Sequence, residues 1–164
     1  MRPAAGEVLH FSEDPTIEVF RPQATYVWAV GHDRAPDYWF PRQCPRAMAW
    51  LGPSTTPEDQ ARIIGPGSGS RVHAVEYGWL EAMRTVELYA YRLPAAQFSL
   101  HDAALVATTD VKPFGPPERV GDLFELHDEA GIQLRVLNRL HDFWAEVITS
   151  TLEFSGIRLR NARA

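Results

Sequence analysis

Residues 7–22 read EVLHFSEDPTIEVFRP. Val8, Leu9 and Phe11 favour a pleated backbone, and Ser12 to Pro15 carries turn chemistry, so residues 7–12 are expected as a strand. Asp14-Pro15 has the form of a helix cap with proline at the first helical position. Pro22 disfavours helix at Arg21, so the helix expected over "PTIEVF" is short. A brief strand, a turn and a brief helix in one stretch set the scale for the chain. Elements this short do not build the even strand–helix alternation of a doubly wound parallel sheet.

The remaining sequence keeps that scale. Strands are expected over 25–30, 46–51, 71–77, 86–93, 104–109 and 132–137, and "SGIRLRNA" is expected as a closing edge strand. The clearest helix start is "STTPEDQARIIG". Thr56 can cap it, Pro57 sits in the first turn, Glu58 and Asp59 face the positive end of the dipole, and Gly65 ends it. "WLEAMR" is a short helix between strands. "ERVGDLFELHDEAG" is an acidic helix with Val120, Leu123, Phe124 and His127 on one stripe. "LHDFWAEVITSTL" places Leu140, Phe143, Trp144, Val147, Ile148 and Leu152 at helical spacing. "GPGSGS" (65–70) is expected as a flexible loop. The fold class is α+β, with a mixed, mostly antiparallel sheet and short helices in a single domain, 1–164.

Composition sets the outer bounds. The chain has 164 residues, 45% hydrophobic and 23% charged, the balance of an ordinary globular protein. Its net charge of −5 argues against a general nucleic-acid binder. Arg outnumbers Lys 15 to 1, which is read as coding bias except where a forked anion contact gives it a use. Cys44 is the one cysteine, so no intrachain disulfide forms and a reducing cytoplasm is the expected location. No apolar run approaches the ~20 residues of a membrane span, and the N-terminus lacks the apolar segment of a signal peptide.

Few stretches carry recognisable chemistry. There is no phosphate loop, dinucleotide fingerprint, nucleophile elbow or helical histidine pair. His10 stands in the first strand beside a turn, where an imidazole can donate from one nitrogen and accept at the other, as a ribose hydroxyl requires. In "YWFPRQCPR" (38–46), Tyr38 and Trp39 offer flat faces and three prolines stiffen the loop, a setting that suits an anion pocket. Arg42 and Arg46 bracket Cys44 at two-residue spacing. In an extended segment all three point one way, and two guanidiniums would depress the thiol pKa. The competing reading makes Cys44 a small core residue, and it is favoured. His73 and Glu76 in "RVHAVEY" form a weaker pair, facing opposite sides of a regular strand. Arg158 and Arg160 share a face of the closing strand and are read as a solvated tail.

The order of these features resembles a group of small uncharacterised bacterial proteins that begin with this His-Phe-Ser-Glu-Asp-Pro stretch. The likeness runs over nearly the whole chain, including "YWFPRQCPR", "RVHAVE" and "STLEFSGIRLRNA". More remotely it resembles the ADP-ribosyltransferase-like fold, whose members often open on an aliphatic-x-His-x-Ser/Thr strand. That resemblance implies that His10 and Ser12 contact the ribose and nicotinamide side of NAD. It makes Tyr38 the stacking position, with Tyr26 the other match. At the place of the usual late-strand Glu this chain has Asp110, one methylene shorter.

Two functions follow. In one, the protein is a non-catalytic module binding a nucleotide or small anionic ligand, without a nucleic-acid or membrane partner. In the other it transfers ADP-ribose from NAD: Arg42 or Arg46 clamps the pyrophosphate, and Asp110 stabilises the oxocarbenium-like sugar as the catalytic carboxylate. The missing Glu favours the binding module. A cysteine-dependent activity at Cys44 stands third.

Overall fold

A computed structural model describes residues 1–67 and 69–164; Ser68, in the loop expected over 65–70, lies outside the described residues. In chain order the elements are β1 (Glu7–Ser12), β2 (Val27–Ala29), β3 (Arg46–Trp50), α1 (Pro57–Ile63), β4 (Arg71–Glu76), α2 (Leu80–Thr85), β5 (Tyr89–Pro94), β6 (Ser99–His101), β7 (Ala104–Ala107), β8 (Glu118–Arg119), α3 (Leu123–Glu129), β9 (Gln133–Leu137), α4 (Leu140–Val147) and β10 (Glu153–Ile157). Single 3-10 turns punctuate them at Ala35–Tyr38, Tyr77–Trp79, Ala95–Gln97 and Leu159–Asn161. The class is α+β with mostly antiparallel sheets. No helix among the described residues is long and apolar enough to cross a membrane.

The described residues divide into two compact units, each made of two separate chain segments. The first comprises Met1–Arg42 and Val86–Gly121. It holds two three-stranded sheets, ordered β1-β5-β8 and β2-β7-β6. β1 lies antiparallel to β5 over its full length, from Glu7 opposite Pro94 to Ser12 opposite Tyr89. The two sheets meet where Leu9 and Val30 exchange backbone hydrogen bonds of 2.9 and 2.8 Å. A core of Val8, Phe20, Val27, Ala29, Tyr91, Leu93, Ala107 and Val111 fills the unit.

The second unit comprises Gln43–Thr85 and Asp122–Ala164 and holds one sheet, ordered β10-β3-β4-β9. Among its pairs only β4–β9 is parallel; the connection between them runs through α2, β5 to β8 and α3. α4 packs on this sheet through Phe143, Trp144 and Val147, against Ala49, Ile63, Ile64, Val72 and Leu152.

Three sequence expectations need correction. "PTIEVF" is not helical: the Asp14 carboxylate accepts the Thr16 amide at 2.9 Å and the Thr16 hydroxyl at 2.6 Å, closing a local turn in place of a helix. Helix in "ERVGDLFELHDEAG" begins only at Leu123, capped by Asp122, while Glu118–Arg119 pairs with β5 as β8. Arg158 and Arg160 do not share a strand face. β10 ends at Ile157, Arg158 turns left-handed at φ 54°, and Arg160 belongs to a 3-10 turn. One hairpin was not anticipated: β6 and β7 join through Asp102 and Ala103, both at positive φ.

Candidate functional site

The candidate site lies within the first unit and starts from the bridge between β1 and β2. Because Leu9 bonds Val30, the chain leaving β2 runs beside β1 and then enters Gly31–Arg34. The 3-10 turn that follows starts at Ala35, has Pro36 in its first turn and ends at Tyr38. The β6–β7 hairpin supplies the facing edge. Together these surround a cavity of about 380 Å³. Its apolar walls include Phe11, Trp28, Tyr38, Leu100 and Leu105, and its polar lining comes from His10, His32, Asp33 and Arg34.

The aromatic side chains are well ordered by contacts. Phe11 and Tyr38 lie parallel, 6.5 Å apart at an interplanar angle of 3°. Trp28 is 49% exposed and Tyr38 37%, large flat surfaces left open at the cavity. Tyr26 braces Trp28 edge-on at 5.5 Å and does not itself line the cavity. His10 is held from two sides. Its ring packs on Phe20 at 4.6 Å, and its Nδ1 lies 2.8 Å from the Trp28 carbonyl oxygen. Burial lowers its pKa below the ordinary imidazole value, the Trp28 carbonyl works the other way, and the nearby Arg42 charge lowers it further. His32 Nδ1 contacts the exposed Asp33 carboxylate at 3.0 Å. Arg34 Nε donates to Asp37 at 2.7 Å; that carboxylate is fully buried, so the ion pair fixes the loop.

Of the residues singled out in the sequence, His10 and Tyr38 line one cavity. Ser12 is buried and its hydroxyl oxygen accepts the Asp14 amide at 3.0 Å, so it shapes the turn after β1. Arg42 lies outside the lining, its amide donating to Glu13 at 2.8 Å. Asp110 also lies outside, exposed, with Arg21 Nε 3.8 Å away. Arg46 belongs to the second unit, is buried, and donates to the Cys44 carbonyl at 3.0 Å. Sequence reasoning missed Trp28 and Arg34. The signal available was the polar run "GHDR" directly after a buried strand, a common place for ligand contacts.

The second unit holds a different polar grouping. Cys44 is buried, and its thiol pKa is pushed up to about 12 by desolvation, with Arg46 opposing and Glu76 adding to the rise. That environment is the reverse of an activated thiol. The Glu76 carboxylate is also buried and accepts the amides of Leu140, at the start of α4, and Arg163, both at 3.0 Å. His73 and His127 are buried partners, Nδ1 of the first 2.9 Å from Nε2 of the second.

A family model described as a family of unknown function (DUF6886) matches residues 9–162. No curated protein and no solved structure matches the chain.

Proposed function

We propose that this chain, which belongs to that family of unknown function, is a non-catalytic module that binds a nucleoside or nucleotide in the cavity of its first unit. The observation that carries the reading is the pairing of two half-open aromatic faces, Trp28 and Tyr38, with a polar imidazole at the same cavity. A base stacks on an aromatic face with a gain of ~1–3 kcal/mol. Hydroxyls of the sugar meet His10, and His32 and Arg34 place N–H groups at the polar edge. A cavity of about 380 Å³ is the size of a small-ligand site.

The remote likeness to the ADP-ribosyltransferase-like fold enters this reading through His10 and Tyr38 alone. The module takes over the recognition part of that fold and not its transfer step. Transfer needs a carboxylate at the sugar, and Asp110 is not among the lining residues. The carboxylate that does line the cavity, Asp33, is held by His32. NAD is accordingly a candidate ligand rather than a substrate.

Tryptophan fluorescence tests the reading. Adenosine, ADP and NAD titrated into the protein should quench emission saturably, and Trp28→Phe should abolish most of the change. Absence of quenching by all three sinks the reading. Nicotinamide release from NAD by the unmodified protein would replace it with the transferase reading.

A further inference from the structure

His10 has one nitrogen whose role is settled by chemistry. A carbonyl oxygen only accepts, so the 2.8 Å contact between Nδ1 and the Trp28 oxygen requires a proton on Nδ1. Burial favours the neutral ring, so Nε2 carries a lone pair and no proton. No side chain or backbone donor among the described residues serves Nε2. The ring cannot easily turn to exchange its two nitrogens. It is fixed between Phe20, at 4.6 Å, and the Trp28 carbonyl.

We propose that His10 is the specificity-determining residue of the cavity, presenting Nε2 as an obligate hydrogen-bond acceptor. The ligand group it admits is therefore an O–H or N–H donor, and an anionic oxygen is excluded from that position. The inference rests on the nucleoside reading above and narrows it. The sugar hydroxyls or an exocyclic amine point to His10, and any phosphate lies away from it. Such an acceptor discriminates because a bound ligand lacking the donor covers the lone pair and leaves it unpaired.

The test uses matched ligands on the unmodified protein: adenosine, its 2′,3′-di-O-methyl form and its N6,N6-dimethyl form, read by tryptophan fluorescence. One methylated form should bind about fivefold or more weakly than adenosine. The His10→Phe variant keeps a ring and removes the acceptor, so there the two should bind alike. Nitrogen NMR of the unmodified protein gives a reading independent of any variant: Nε2 of His10 should be unprotonated when free and shift on adding adenosine. Equal affinity for all three ligands in the unmodified protein, or a protonated Nε2 in the free protein, overturns the proposal and leaves the nucleoside reading standing. Failure of adenosine to bind at all removes both.

Discussion

Two buried histidines of the second unit form a chain whose proton positions are fixed. The Leu123 carbonyl, 2.7 Å from His127 Nδ1, puts a proton there and leaves Nε2 to accept. His73 Nδ1 donates to it at 2.9 Å, and His73 Nε2 accepts from Arg71 Nε at 2.8 Å. Neither ring can gain a proton without setting two donors face to face. Desolvation lowers both pKa values, His73 well below the ordinary 6.5, with the charges of Arg71, Arg46 and the partner histidine adding to it. In the unfolded chain the rings titrate normally and bind more protons. Stability is therefore complete above the unfolded pKa and is lost as pH falls below about 6.5. Urea unfolding at stepped pH should show a falling free energy between pH 7 and 5, above the range where carboxylates act; a flat profile there would contradict the assignment. Cys44 gives a second residue-scale expectation. With its thiol pKa at about 12 it should resist alkylation at neutral pH in the native state and react readily in denaturant. Fast native alkylation would count against a structural role. Little of this was legible in the sequence. His73 and His127 are 54 positions apart, one on β4 and the other on α3. The thiol's environment depends on Glu76, a residue that alternation alone places on the opposite strand face from His73.

Elements were legible where their chemistry is local. Thr56 accepts the Asp59 amide at 3.2 Å, as the "TPED" sequence indicates, and α1 follows. Thr56→Ala should cost about 1 kcal/mol, read from a denaturant melt. The same kind of cue misled at Asp14-Pro15, since a few residues before Pro22 cannot repay the cost of nucleating a helix. The β6–β7 hairpin escaped notice for the opposite reason. Its turn residues sit at φ 48° and 66°, where Asn-Gly is the usual pair and Asp102-Ala103 gives no signal. A left-handed alanine is strained by ~1 kcal/mol or more. Ala103→Gly should therefore raise the melting temperature, and a lowered one would mean that the Ala103 methyl contributes more at the cavity wall than its backbone costs.

At the scale of the molecule, sequence composition gave no sign of two units, because each is assembled from two segments that alternate along the chain. β1 pairs with β5 and β4 with β9, so no single segment contains a complete sheet. A fragment ending at Thr85 holds β1 to β4 and lacks β5, β7, β9 and β10. It should give the circular dichroism of an unfolded chain; a cooperative melt from it would contradict the division. The interleaving also orders events on the ribosome. Strand β1 emerges first and must wait for β5, while the sheet of the second unit stays open until β9 and β10 arrive. Its first segment, with Met48, Val72 and Val75, leaves the exit tunnel with apolar faces uncovered throughout that interval. A nascent chain of this design is expected to need chaperones during much of its synthesis, and yield on overexpression should respond to translation speed more than to the stability of the finished protein.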